Sequence, residues 1–439
     1  MDICIIGAGL SGLSLAYMLN DRKFNVKILE KDKRIGGLLR SEEINGWTFD
    51  TGGSHILFSK NKIVLREMLN VLGEYVEHRR KTYIYYKNKF IKYPFENGIY
   101  DLPAYERYEI LKDVVQTFLK RKMGILRKPG NLLEWFYYVF GKAITEKYLK
   151  PYNEKLWKRD LKKISLDWVG NRIPNPPIYD IMKSAIGIPT EGYRHQIRFY
   201  YPLRGGIEAL IRRLSELISY PIITSVAVKG IKKEDEKVVL KTDKIGEIVC
   251  DYVVSTAPLN EIAGIVSENR CIKSILKKFD YNSLVVVGLG IKNRAPKYHW
   301  IYVPQKEIIF HRIAFLSNYS PNMSPNGYSS LIAEISHKPD EDMKDDNIED
   351  CVLEGLREMG FDFDVELVKI WRWKYAYIVY NHDYREVTGR ICEFLMRNRI
   401  IPFGRFGSWS YLNMDSVWME AKRLAERLRC LYEGFGCNT

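Results

Sequence analysis

Apolar residues Ile3 to Ile6 open the chain as an unbroken run, Gly7, Gly9 and Gly12 follow, and apolar positions then recur at helical spacing through LSLAYML. A short apolar run bounded by glycine reads as a buried strand, and the change to a 3.6-residue period reads as the helix behind it. A second strand is expected over Val26–Leu29, completing a βαβ start. Further on, KTYIYYKNKFIKYPF predicts a hairpin of two aromatic-rich strands around Lys87, Asn88 and Lys89. From about 102 to 196 the period is helical, broken at Pro129, Pro174, Pro176 and Pro177. Strands and one amphipathic helix return over 199–258. The segments SLVVVGLGI, HWIYVP, IIFHRIAFLS, SSLIAEIS and VELVKIWRWKYAYIVY predict an antiparallel sheet with Tyr and Trp along one face. The closing IPFGRFGSWSYLNMDSVWMEAKRLAERL reads as a strand, a glycine turn and an amphipathic helix, and no internal repeat is visible.

The three glycines stand in G-x-G-x-x-G spacing between a strand and a helix. In that context Gly7 allows the tight turn, Gly9 lets the backbone approach a pyrophosphate, and Gly12 allows helix to pack closely on strand. Glu30 follows Gly12 by 18 residues at the end of the second strand, where an acid takes ribose hydroxyls, with Lys31 beside it. A second glycine pair in Arg34-Ile35-Gly36-Gly37-Leu38-Leu39-Arg40 suits another close backbone approach and favours FAD over NAD, which adds Gly36, Gly37, Leu38 and Arg40 to the expected cofactor contacts. A further glycine-rich turn, Phe49-Asp50-Thr51-Gly52-Gly53-Ser54-His55, resembles the one beside the flavin ring in the amine oxidase and protoporphyrinogen oxidase class, and that resemblance adds Gly53. The fold class expected is α/β: a Rossmann-like FAD-binding domain with a helical insertion and an antiparallel β-sheet substrate domain. The FAD-binding domain would be discontinuous (1–78, 200–275 and 386–439), the helical domain would span 100–199, and the sheet domain would combine 79–99 with 276–385.

With 439 residues, 46% of them hydrophobic, the chain can bury two or three cores and is not disordered. It lacks the roughly 18 consecutive apolar residues of a membrane span and has no signal-peptide pattern, so a cytoplasmic protein without an integral membrane segment is expected. Seven cysteines without metal-ligand spacing predict inert thiols and no metal site. The net charge of +14 is compatible with nucleic acid, an anionic membrane surface or a polyanionic substrate as partner, and its densest cluster, Lys120, Arg121 and Lys122 with Arg127 and Lys128, reads as a solvated face. Abundant Ile, Lys, Tyr and Glu with few Gln is compatible with a thermophile's surface.

The motifs YPFENGIYDLP (93–103), PYNEKLW (151–157), DWVGNRI (167–173), HWIYVP (299–304), FHRIAFLSNYSP (310–321), YAY (375–377) and GRFGSWSY (404–411) occur in an order and spacing that resemble the UDP-galactopyranose mutase family, particularly its eukaryotic-type branch. That family lies within the FAD-dependent amine oxidase and protoporphyrinogen oxidase-like superfamily. The resemblance runs over nearly the whole chain. It implies an isomerase interconverting UDP-galactopyranose and UDP-galactofuranose, or a close UDP-sugar, through a sugar adduct at N5 of reduced FAD, with NAD(P)H or another donor as reductant. The partner is then a small molecule, and a homo-oligomer is left open. Arg172 and Arg312 match the arginines on the substrate diphosphate, a suitable choice because guanidinium offers forked donors to phosphate oxygens. Tyr319, Tyr377 and Tyr411 match tyrosines on the same diphosphate, and Asn153, Trp157 and Trp300 line the pocket. Gly404 and Arg405 match the turn beside the flavin, Asn413, Asp415 and Ser416 open the helix that receives its phosphate and ribityl groups, Val226 brackets the adenine, and His55 faces the flavin. The absence of a Ser-His-Asp set fits chemistry supplied by the cofactor. Two rivals are an FAD-dependent oxidase or desaturase of the protoporphyrinogen oxidase or amine oxidase type, and a non-catalytic flavin protein that binds partners through its basic surface.

Overall fold

Residues 1–170, 173, 175–192, 197–266, 270–292, 294–341, 343 and 347–434 are described in a computed structural model. The first strand, Asp2–Ile6, is apolar on both sides because both sides are covered: Ile3, Cys4, Ile5 and Ile6 are all buried. It pairs in parallel with Asn25–Leu29 and with Tyr252–Ser255. Ile222–Ile223 and Ile400–Pro402 extend this parallel sheet on either side, so its five strands come from distant parts of the sequence. All five run the same way, and their carboxyl ends share one edge, the usual place for a ligand in such a sheet. The first helix, Leu10–Met18, packs along the closing helix, Met414–Tyr432.

The second sheet has seven strands in the spatial order Val365–Ile378, Tyr281–Ile291, Ser329–His337, Arg312–Phe315, Trp300–Tyr302, Thr82–Tyr86, Lys89–Lys92. Its second strand, Tyr281–Ile291, packs Val285, Val287 and Leu289 against Val352 and Leu356 of the helix Ile348–Glu358, and Leu284 and Val286 against the nucleotide side. Gly288 and Gly290 lie on the latter face, where a Cβ would come within 2.7 Å of Trp371 and 2.8 Å of Trp47. The missing side chains make room for indoles. The hairpin falls where the sequence placed it, with Lys87 and Asn88 both at positive φ (47° and 61°), as a two-residue turn between twisted strands requires. Helices Ala104–Lys122, Leu132–Ile144, Lys150–Trp157 and Ile178–Ala185 form a third layer, whose core of Phe136, Phe140, Ile144 and Trp157 continues onto Ile84, Ile91 and Phe95 of the hairpin region.

Two features differ from the sequence reading. The sheet is not wholly antiparallel, since Trp300–Tyr302 runs parallel to Thr82–Tyr86. The hairpin reaches the sheet from a separate stretch of chain, so no tight turn imposes an antiparallel direction on that pair. The helix Ile348–Glu358 lies inside the region read as β-rich; its signal, Ile348, Val352 and Leu356 at spacing four, is brief and flanked by strong strands. Among the described residues no helix is long and apolar enough to cross a membrane.

Candidate functional site

The carboxyl edge of the parallel sheet opens into a cavity of about 1430 Å³ that runs from Gly7 and Gly9 to a tyrosine-lined end at Tyr148, Tyr152 and Tyr302. A single small ligand occupies roughly 300–1000 Å³. The space therefore suits a cofactor with a second molecule beyond it.

At the glycine end the three motif glycines are required for different reasons. A Cβ on Gly12 would lie 2.0 Å from the Gly7 carbonyl oxygen, and one on Gly7 would lie 2.3 Å from Thr256 Oγ1, so the protein itself excludes side chains there. Gly9 has no such constraint, because a Cβ would meet only the Gly36 carbonyl at 3.9 Å. What it would obstruct is the cavity. Gly36 and Gly37 form the opposite lip, tied by the Gly36 N–H to the Ala8 carbonyl at 2.9 Å. Glu30 is buried at this lip, accepting from the Ala8 N–H at 2.8 Å and the Asp32 N–H at 3.0 Å. The Val226 N–H bonds the Glu30 carbonyl at 2.9 Å, which sets Val226 and Lys31 on the wall. Leu38 and Arg40 continue it, Arg40 paired with Asp32 at 2.9 Å and lying 5.7 Å over the Trp373 ring.

Two helices begin at this cavity, Leu10–Met18 capped by Gly9 and Met414–Tyr432 capped by Asn413, and neither has a side-chain cap. Their first-turn N–H groups and the positive ends of their dipoles form a ready anion site. Asp415 and Ser416 line it too, although the Asp415 carboxylate is occupied by the Ser59 hydroxyl (2.7 Å) and the Ser416 N–H (2.8 Å).

At the far end Arg312, on the strand next to Glu334, forms a bidentate pair with it at 2.8 and 2.6 Å. Glu334 is fully buried and also accepts from the Ser54 N–H at 2.9 Å and, at 3.4 Å, from the Tyr377 hydroxyl. His55 lines the cavity with Nδ1 2.9 Å from the Gly53 carbonyl. A carbonyl only accepts, so Nδ1 carries the proton and Nε2 keeps its lone pair. Burial, then Arg312 and Arg405, push the His55 pKa down to about 3, so it is neutral at pH 7. His311 is depressed well below the usual range by burial and then Arg312, while burial and then Glu334 keep Tyr377 protonated. Arg405 donates to the carbonyls of Leu412 (3.2 Å) and Ala376 (2.8 Å) and lies 4.0 Å over the Tyr411 ring. Three buried nitrogens on this wall, Arg405 Nε, Trp300 Nε1 and His311 Nδ1, have no hydrogen-bond partner among the described residues. Of the charged side chains on the wall, eight are basic and five acidic.

Not every expected contact reaches the cavity. Trp157 is 1% exposed, bonded through Nε1 to Asn153 Oδ1, with its ring against Trp168, Tyr377 and Tyr411; Asn153 lies on the wall and Trp157 behind it. Tyr319 is wholly buried among Phe199, Tyr201 and Trp300 and shares a hydrogen bond between its hydroxyl and Ser54 Oγ at 2.7 Å, so it supports the His55 turn from behind. Gly12, Gly53 and Gly404 also sit behind the wall, and a Cβ on each would press on Gly7, Glu334 and Ser11 respectively. Arg172 lies outside the described residues. Sequence reasoning passed over Glu334 and His311; the signal for Glu334 was a lone acid within the apolar strand SSLIAEIS.

A family model of flavin containing amine oxidoreductases matches residues 182–428, more than half of the chain. The chain belongs to that family. Residues 5–72 of this amine oxidoreductase family member also match a model of NAD(P)-binding Rossmann-like domains, in keeping with the parallel sheet and glycine turn. Among curated relatives, an uncharacterized protein of Methanothermococcus thermolithotrophicus is 41% identical over 86 residues, 20% of this chain and 82% of that one. Coproporphyrinogen III oxidase of Staphylococcus aureus is 27% identical over 181 residues, 38% of each chain. The match thus spans well under half of that oxidase. Among solved structures, reduced UDP-galactopyranose mutase is similar with a TM-score of 0.88 at 24% identity, covering 98% of this chain and 96% of that one, a likeness of fold.

Proposed function

We propose that the chain is an FAD-dependent isomerase that interconverts UDP-galactopyranose and UDP-galactofuranose, or acts on a close UDP-sugar. The observation that carries this reading is the polar far end of the cavity, where the guanidinium groups of Arg312 and Arg405 stand on one wall with Tyr377 and Tyr411. An oxygen-rich anion pairs with such guanidinium and hydroxyl groups, whereas an apolar carotenoid offers them no acceptor. The likeness in fold to the mutase over the full length supports it.

The glycine end fits FAD. Gly9, Gly36 and Gly37 leave backbone surface for the pyrophosphate, the two uncapped helix starts face its charge, and Glu30 has acceptor capacity left for ribose hydroxyls. Val226 would bracket the adenine, with Arg405, Asn413 and Ser416 on the flavin side. What FAD supplies when bound and reduced, by NAD(P)H or another donor, is a nucleophile for the anomeric carbon of the sugar. The N–H groups of Arg312 not given to Glu334 would hold the substrate diphosphate and stabilise the charge that gathers on it as UDP departs. Neutral His55 gives no proton at pH 7 from Nε2 and instead offers a lone pair toward the cavity. Tyr377 and Tyr411 close the site against water, and Tyr377 keeps its hydroxyl as a donor.

A second reading, an oxidase or desaturase, is favoured by the curated relatives. Dithionite-reduced protein given UDP-galactofuranose, followed by chromatography, separates the two. Conversion to the pyranose supports the mutase; no conversion, with oxygen-dependent turnover of a porphyrinogen or an amine, assigns the oxidase.

A further inference from the structure

The long helix Ala104–Lys122 ends in a Schellman turn, with Gly124 at φ 70° and the Ile125 N–H bonded to the Lys120 carbonyl at 2.9 Å. Such a turn usually buries an apolar residue at the position of Ile125 against one at the position of Lys120. Here the helix positions that could meet it are Lys120 and Leu119, and Ile125 stays 61% exposed. Leu119 and Met123, one turn apart on the same helix end, are 53% and 72% exposed. Around these three apolar side chains stand Lys120, Arg121, Lys122, Arg127 and Lys128, and no acid occurs in the sequence between Asp113 and Glu134. Among the described residues none of the five cations is in an ion pair. Glu134 is exposed, accepts from the Gly130 N–H at 2.8 Å and lies near Arg127 alone of the five.

Cations in the last turn complement the helix dipole, which accounts for Lys120, Arg121 and Lys122. It does not account for Arg127 and Lys128 beyond the helix, nor for three apolar side chains held out in water among five positive charges. A second copy of the chain is a poor occupant, because a two-fold contact would set like charges face to face. A nucleic acid would use the cations and leave the apolar side chains idle.

We propose that this helix end, Leu119 to Lys128, is a docking surface for an anionic phospholipid bilayer: the cations sit over lipid phosphates and Leu119, Met123 and Ile125 enter the headgroup boundary. This is attachment at the interface, made by a basic and apolar tip. It holds whichever reaction the cavity performs.

The test uses flavin-loaded, full-length protein in co-sedimentation with vesicles of phosphatidylcholine, with and without phosphatidylglycerol. Binding is expected only on the anionic vesicles and should fall with salt. Lys120→Ala/Lys122→Ala should weaken it roughly 25-fold, about fivefold for each charge removed. Met123→Ser/Ile125→Ser should weaken it about tenfold at unchanged charge. A Met123→Trp variant should show a blue-shifted emission on vesicles. All these positions are on the surface, so the flavin spectrum and thermal midpoint should match the parent. Equal affinity for neutral and anionic vesicles, or no binding to either, overturns the proposal. So does a loss confined to the lysine variant, which would mark a surface for polyanions such as RNA.

Discussion

Arg312 and Glu334 face each other across two antiparallel strands and are joined by two hydrogen bonds, so the strongest cation expected at the substrate end is already matched by a fully buried carboxylate. The pair fixes the guanidinium plane and ties it, through the Ser54 N–H, to the turn that carries His55. It also changes what a mutation at Arg312 removes. Arg312→Ala takes away a diphosphate donor and leaves Glu334 charged in the interior, which costs about 3–5 kcal/mol. Its thermal midpoint should fall sharply, and kcat/KM for UDP-galactofuranose should fall at least about 100-fold, or roughly 2.7 kcal/mol. In Arg312→Met/Glu334→Gln the buried charge is gone, so the midpoint should largely recover while UDP affinity does not. Recovery of both would remove Arg312 from the substrate site.

The glycine end gives a sharper contrast. Gly9→Val places its side chain in the cavity and nowhere else, so the protein should fold with an unchanged circular dichroism spectrum and purify colourless. Gly12→Ala forces a methyl group to within 2.0 Å of the Gly7 carbonyl and should instead lower stability and yield. A yellow Gly9→Val protein with parental flavin content would count against a pyrophosphate at this position.

Arg405 tests the flavin side. Among the described residues its Nε has no partner and its charge no carboxylate, so Arg405→Ala removes a cation without orphaning an anion and should lower stability by only about 1–3 kcal/mol, through the two carbonyls it leaves. Flavin affinity or turnover should drop, and Arg405→Lys should restore charge without the forked geometry and fall between. If titrated FAD affinity and turnover both stay at parental values, Arg405 has no part in the site.

How far these sites were legible follows from the range of the signals. The glycine turn with Glu30 is a local pattern in which each residue's job follows from strand, turn and helix, and it was readable at once. Arg312 was found by its motif, but its partner was not, because pairing Arg312 with Glu334 needs the register of two strands, which sequence does not fix. Trp157 and Tyr319 failed for a related reason: a helix or strand pattern shows that an aromatic residue is buried without telling which buried face meets the cavity. The basic tip was noticed as charge alone. Its apolar residues acquire meaning only once the Schellman turn shows Ile125 facing outward.

Histidine burial sets the acid limit of stability. Folded His55 takes up a proton only at about pH 3, and His299, pushed down chiefly by burial and then by His78, does so at about the same pH; His311 lies well below its usual range. In the unfolded chain each protonates near 6.5. Their contribution is therefore complete above about pH 6.5 and is lost as pH falls toward 3, because the unfolded state binds the extra protons. Asp50 works in the opposite sense. Its carboxyl, raised to about 6 by burial against a reference of 3.8, favours the folded state at low pH and loses that contribution as pH rises toward 6. Between pH 6.5 and 5 these three histidines oppose Asp50, and their net share is a fall in stability on acidification of up to roughly 2.7 kcal/mol per pH unit, two groups at about 1.4 each, to which His337, lowered chiefly by burial, adds. His55→Gln removes one proton-binding site and should make that slope shallower by up to about 1.4 kcal/mol per unit. Urea unfolding midpoints at pH 7, 6 and 5 for the parent and His55→Gln measure both slopes. A parent whose stability is flat or rises toward pH 5 would mean that these histidines are not held neutral by the fold, and the lone pair assigned to His55 Nε2 would lose its basis.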